Sequence, residues 1–271
     1  MSESQQSWPV DGHVHFHELD LVPPTLDAAA DNFRALGVDT VRPLGALLLT
    51  QTAGERVFER LRELTQIRHW RISAVPGEPE TLLARRGDST VAIVCGRQVR
   101  AADGLEVLGL GTCNTFDDGR PFLESVQAVR QSGALTVVPW AVGKWLGRRG
   151  QRVRDTLASI APQEVFVGDN GGRLNLLGKP PLVREFQRRG FRVLPGTDPF
   201  PFGADHRRVG RFGFLADLTP TEEAPWRNLR AWLLHPGSVP RPFGRALGPV
   251  AFLFNQLGIR IYNRLRREPS P

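Results

Sequence analysis

Three of the chain's six histidines fall at alternate positions of one short segment, Val10-Asp11-Gly12-His13-Val14-His15-Phe16-His17. In an extended strand alternate side chains share a face, so His13, His15 and His17 would point the same way, with Asp11 beside them. Two imidazoles one pleat apart can grip a single cation, and a carboxylate on the same face can serve as a ligand or orient an imidazole from behind. This spacing predicts a metal site at the end of a strand. A half-buried edge strand with exposed histidines is the plainer alternative.

A second carboxylate belongs with this segment. Asp198 follows the apolar run at 191–194 and the turn Pro195-Gly196-Thr197, so it too leaves the end of a strand. Asp169, in Val167-Gly168-Asp169-Asn170, and Asp205 or His206 beyond Asp198 are further candidate ligands. The formal net charge is +7, and all but two of the 35 basic residues, Lys144 and Lys179, are Arg. The planar guanidinium fork suits phosphate and carboxylate, which points to a small anionic substrate, with Arg97, Arg173, Arg207 and Arg208 as loop or strand-end candidates to bind it. Genome base composition would produce the same arginine bias.

These residues need elements to hold them. Residues 26–36 are apolar at helical spacing (Leu26, Ala29, Ala30, Phe33, Leu36) and stop at Gly37. Residues 45–50 read as a strand, 55–67 as a helix and 70–75 as a strand. Residues 91–99 and 105–110 read as a hairpin about Asp103-Gly104. Helices at 121–132, 155–160 and 181–189 then alternate with strands at 135–138, 164–167 and 191–194. Such alternation predicts an α/β fold with a parallel sheet or a (β/α) barrel, whose functional residues gather at the C-terminal strand ends. Residues 1–218 would form that barrel. The remainder, 219–271, is a Pro-rich segment followed by helical periodicity from Pro249 to Arg267. There Val250, Phe254, Leu257, Ile261 and Leu265 form a stripe, with Arg260, Arg264, Arg266 and Arg267 towards the C-terminal end. The favoured reading packs this helix on the barrel exterior, and the other has it meet a membrane surface or a partner protein.

Composition excludes several classes. With 41% hydrophobic and 23% charged residues the body should fold rather than remain disordered. Cys95 and Cys113 are too few for a disulfide framework and lack metal-ligand spacing. No zinc-finger spacing, RNP-like motif or helix-turn-helix signature supports specific nucleic-acid binding. The run Gly168-Asp-Asn-Gly171-Gly172-Arg173 lacks the Lys-Ser/Thr of a phosphate loop, and no Gly-x-Ser-x-Gly elbow occurs. No apolar run reaches the roughly 20 residues of a membrane span and no leader-like start is present, so a cytoplasmic protein is expected.

Taken in order, the motifs resemble the PHP (polymerase and histidinol phosphatase) family of metal-dependent phosphoesterases and, more distantly, amidohydrolase-type barrels. Asp11-Gly-His13-Val-His15 looks like the family's D-x-H-x-H strand. The stretch from Ile93 to Gln98 with Gly104 to Gly109, the stretch from Ser132 to Trp140, and Gly196-Thr-Asp198-Pro-Phe200 are similar to its later motifs. The sequence departs from the pattern where Gln98 replaces a bridging Glu, Trp140 a His and Phe200 a terminal His. An amide is a poorer ligand than a carboxylate, and Trp and Phe cannot ligate.

The resemblance implies a TIM-like barrel and a hydrolase, most simply a phosphoesterase, using one or more divalent ions (Zn, Mn or Fe). Its reduced ligand set would be His13, His15 and Asp198, with Asp169 and His206 as lesser candidates, and Asp198 and Asp11 in catalytic roles. The alternatives are an amidohydrolase acting on an amide or lactone, or a catalytically degenerate barrel acting as a binding or scaffold protein. In that last case Trp140, Trp145, Phe200 and Phe202 would rim the pocket.

Overall fold

A computed structural model describes residues 7–38 and 43–265. The chain opens with β1 (Trp8–Val14), α1 (Val22–Arg34) and β2 (Gly45–Leu49). Pro23 and Pro24 sit in the first turn of α1, where a missing N–H costs nothing, and the helix buries Leu26, Ala29, Ala30 and Phe33 as their spacing predicts. Helix α2 (Val57–Arg62) is shorter than its periodicity suggests, because the chain turns out at Leu64 into β3 (Gln66–Ile67). Strands β4 (Trp70–Val75), β5 (Glu78–Arg86) and β6 (Ser89–Val94) follow as an antiparallel meander without an intervening helix.

At Cys95 the run that reads as one strand breaks and changes sheet. A Cβ on Gly96 would lie 2.3 Å from the Leu49 carbonyl oxygen, so only glycine allows this crossing. The expected hairpin is then formed by β7 (Gly96–Arg100) and β8 (Glu106–Leu110). Strand–helix alternation, which the meander interrupts after β2 and α2, resumes here with α3 (Phe122–Gln131), β9 (Leu135–Pro139), α4 (Gly147–Ala158), β10 (Phe166–Asn170), α5 (Pro181–Arg188) and β11 (Val193–Gly196). The Pro-rich part of the chain is more ordered than its composition suggests. Strand β12 (Phe212–Ala216), helix α6 (Pro225–Leu234) and strand β13 (Arg241–Gly244) precede α7 (Pro249–Leu265). Arg266 and Arg267 lie outside the described residues.

The expected closed (β/α) barrel is overturned. The described residues form two open mixed sheets, one of eight strands in the order β13-β12-β1-β2-β6-β5-β4-β3 and one of five in the order β11-β10-β9-β8-β7. The physical reason lies in β1 and β6. β1 is hydrogen-bonded on both edges, antiparallel to β12 and parallel to β2, and β6 is likewise flanked by β2 and β5. Neither has a free edge for β11 or β7, so no ladder can close the wall.

The sheets instead pack face to face. Ala46, Leu48, Ala92 and Val94 of one meet Leu108, Leu135, Val137 and Phe166 of the other, and Trp226, Leu229 and Leu233 of α6 cover the same core. The intervening residues Leu47, Leu49, Val91 and Ile93 face α1 and α2, while Val138, Val165 and Val167 face α3, α4 and α5. Period-two alternation with both faces buried explains why these strands read as continuous apolar runs. Among the described residues no helix is long and apolar enough to cross a membrane.

The two sheets touch most closely at β1 and β11. A Cβ on Gly12 would lie 2.7 Å from the Pro195 carbonyl oxygen, and one on Gly196 2.2 Å from the His13 amide nitrogen. Two glycines thus let the backbones meet, and they bring His13 and Asp198 together.

Candidate metal centre

His13 lies within β1 and His15 just beyond its end, and both are buried. The register of β1 against β2 shifts between Asp11 and Val14. Val10 faces the core between the sheets while Val14, of the same parity, faces the helix-side core. This bulge reverses the facing, so Asp11 parts from His13 and His15. Asp11 accepts hydrogen bonds from the Thr197 N–H at 2.8 Å, the Thr197 hydroxyl at 2.6 Å and the Gly210 N–H at 2.9 Å. Burial pushes its carboxyl up to about 6 against those bonds. Asp11, expected in a catalytic role, fastens the chain after β11 and accepts the His13 backbone N–H at 3.4 Å, so it stands behind the cluster and not among its side-chain ligand atoms.

Asp198 does reach it. The Asp198 N–H donates to the His13 carbonyl at 2.8 Å, and the Asn170 side-chain amide holds its Oδ2. Its backbone sits at φ +47°, a left-handed conformation unusual for a residue other than glycine, which these contacts impose. Oδ1 then lies 3.5 Å from His13 Nε2 and 3.3 Å from His15 Nε2, and the two Nε2 atoms are 3.1 Å apart. Gln98 Oε1 is 3.2 Å from His13 Nε2, and the Thr50 hydroxyl oxygen is 3.3 Å from His15 Nε2.

That triangle fits a cation. Ligands held at about 2.1 Å in a tetrahedron are separated by about 3.4 Å, close to all three sides. The three residues form a group with metal-ligand chemistry.

A second group, His15, His17 and Glu55, adjoins the first. His17 Nε2 donates to the Pro199 carbonyl at 2.9 Å, which leaves Nδ1 facing Glu55 Oε1 at 3.4 Å. Glu55 Oε2 accepts the Thr52 N–H at 2.7 Å and lies 4.0 Å from His15 Nδ1, a buried nitrogen with no hydrogen-bond partner among the described residues. Glu55 therefore stands behind His15, where a carboxylate would fix the ring's orientation and leave Nε2 as the ligand atom.

The electrostatics follow from this crowding. Burial alone would lower His15, but the facing carboxylates of Asp198 and Glu55 outweigh it and raise the imidazole to about 9. For His13 burial wins over Asp198 and the pKa falls. Burial opposes ionisation of Asp198 and Glu55, yet the facing histidines hold both well below the usual carboxylate range. A Glu106–Lys144 ion pair stands near enough to act on His13 and Asp198.

The other expected residues are placed elsewhere. Asp169, at the end of β10, is held by the Arg173 fork at 2.8 and 3.1 Å and does not join the cluster. Arg97 is bound to Glu59 and to the Glu55, Cys113 and Asn114 carbonyls, and Arg208 to Asp205 at 3.0 and 3.1 Å. These arginines are spent on structure, and Arg207 and His206 sit on a short turn outside the cluster. A cleft of about 450 Å³ does open beside Glu55 and Gln98, and Arg56 and Arg62 line it. Both are exposed and carry no ion pair among the described residues. Of the proposed aromatic rim, Trp145 is buried edge-on against Phe186 in the core behind the five-stranded sheet, and Trp140 packs against that core. Phe200 and Phe202 stack on each other.

Glu55, Asn170 and Thr50 escape the sequence reading. Glu55 opens the segment whose spacing predicts a helix but is not one of its apolar positions, and the helix itself starts at Val57; Asn170 adjoins Asp169, the more obvious ligand type. Gln98, the amide at which the sequence departs from the motif it resembles, faces His13.

No family model matches the chain, and no curated protein matches it. Among solved structures it is similar to the crystal structure of PsfC from Pseudomonas syringae PB-5123, at 16% identity and a TM-score of 0.54, covering 95% of this chain and 99% of that one. At that identity the likeness is one of fold.

Proposed function

We propose that this protein is a metal-dependent hydrolase acting on phosphate esters. The observation that carries the reading is the buried triangle of His13 Nε2, His15 Nε2 and Asp198 Oδ1, with sides of 3.1, 3.3 and 3.5 Å. The resemblance of residues 11–15 and 196–198 to PHP phosphoesterases supports the reaction class, although the barrel it implied is not the fold. His13, His15 and Asp198 would hold one divalent ion of the Zn, Mn or Fe type. Such an ion acidifies water and polarises a phosphoryl oxygen.

The chain's own groups complete the site. Glu55 holds His15 in the orientation that turns Nε2 inward. Gln98 and Thr50 offer polar atoms beside the two Nε2 positions and can orient water there. Arg56 and Arg62 in the adjoining cleft meet the anionic ester and stabilise charge that grows on its oxygens.

The test is hydrolysis by protein loaded in turn with Zn²⁺, Mn²⁺ and Fe²⁺, using aryl phosphate mono- and diesters beside an aryl amide and a lactone. Phosphate-ester turnover that disappears in His13→Ala, His15→Ala is expected. Turnover of the amide or lactone alone would move the assignment to that bond, and no turnover with the ion bound would overturn hydrolysis.

A further inference from the structure

Helix α7 has the amphipathic stripe that its sequence spacing predicts, but docks by the opposite side. Asn255 donates to Asp205 Oδ1 at 3.2 Å, and Tyr262 meets Phe202 with ring centroids 6.0 Å apart. Gly258 lies against the Phe202 ring, so closely that a Cβ there would be 2.4 Å from it. The residues that normally anchor a helix are left outside: Val250, Leu253, Phe254, Leu257 and Ile261 are each between 55% and 71% exposed. They run along a 17-residue helix, about 25 Å at 1.5 Å per residue. A hydrogen bond from the Asn175 N–H to the Leu247 carbonyl, 2.8 Å, brings exposed Leu176 and Leu177 to the helix's start. An apolar face of this extent marks a surface that is covered in use.

Charge identifies the cover. From Pro249 to Leu265 the helix carries Arg260 and Arg264 and no acidic residue, and Arg245 just ahead of it is exposed as well. Helices that pair in coiled coils often carry both signs of charge beside the seam, which attract across it. One flanked only by cations, with Phe and Leu between them, fits a surface that is apolar inside and anionic at its rim. Arg260 lies at the edge of the apolar stripe and Arg264 within it in the last turn, where a long arginine stem can run along apolar surface while its guanidinium stays at the headgroups. We propose that the exposed face of α7 seats the protein on an anionic lipid surface. The proposal is independent of the metal reading, because it uses none of the cluster residues.

Sedimentation of the full chain with phosphatidylcholine vesicles, with and without phosphatidylglycerol, tests it. The protein is expected to pellet with the anionic vesicles and to be released by salt. Phe254→Asp with Leu257→Asp should weaken partitioning at least roughly tenfold, and Arg260→Glu with Arg264→Glu by roughly ten- to thirtyfold on the anionic vesicles. An unchanged melting temperature and metal content would show that the body is intact, as expected for such exposed sites. Failure to bind either vesicle, or binding indifferent to both double variants, would overturn the proposal. So would a dimer, seen by sedimentation velocity, that Phe254→Asp with Leu257→Asp dissolves while vesicles are ignored.

Discussion

Asp198 and Asp169 stand beyond or at the ends of the neighbouring strands β11 and β10, and the sequence offers both as ligands. Their surroundings differ in one respect. Asp169 is closed off by the Arg173 fork, with charge and hydrogen bonds matched. Asp198 is set against two imidazole nitrogens that already crowd each other, in a strained backbone conformation. One carboxylate is satisfied by the protein, and the other belongs to a set that a cation would satisfy. Buried titratable groups crowded onto one another are where chemistry is to be sought, and residue type alone does not tell the two apart.

The comparison can be broken by substitution. The largest effect is expected for His13→Ala, His15→Ala, which removes two ligands and should abolish cation binding measured by isothermal titration. Next, Asp198→Asn should weaken binding about 100-fold while Asp169→Asn changes it by no more than about threefold. Asp169→Asn should instead cost about 2–3 kcal/mol in urea unfolding, because it strands the nearly buried Arg173 charge. Equal effects of the two on cation affinity would erase the distinction. Glu55→Gln leaves every proposed ligand in place and should lower affinity about tenfold through the lost orientation of His15.

A smaller effect sharpens the electrostatic part. Without a cation His15 is raised from 6.5 to about 9 by Asp198 and Glu55. Its positive charge therefore contributes stability that is full below about 6.5 and is lost as pH rises through about 9. A cation must displace that proton. Titrations in buffers of different ionisation enthalpy should show about one proton released per cation between pH 6.5 and 9, with affinity rising with pH across that window. Proton uptake would contradict the assignment of His15.

Much of the site was legible because His13, His15 and Asp198 follow strong strand signals and are of ligand type. The parts that were not legible are set by tertiary contacts. The bulge that parts Asp11 from the histidines depends on how β1 pairs with β2. The break at Cys95–Gly96 lies in a run whose composition is that of one strand. The closed barrel failed because β12, antiparallel to β1, occupies the edge that β11 would need, and nothing near Phe212–Ala216 announces that partner. In α7 the periodicity was correct and the buried face was not, since a periodic stripe reports that something covers it without saying what.

The central claim is that His13, His15 and Asp198 hold a divalent ion. Inductively coupled plasma mass spectrometry of protein purified without chelator, beside His13→Ala, His15→Ala, tests it most directly. About one equivalent of Zn, Mn or Fe in the wild-type chain and none in the variant is the expected result. A wild-type chain that stays metal-free after reconstitution, or a variant that keeps its metal, would contradict it.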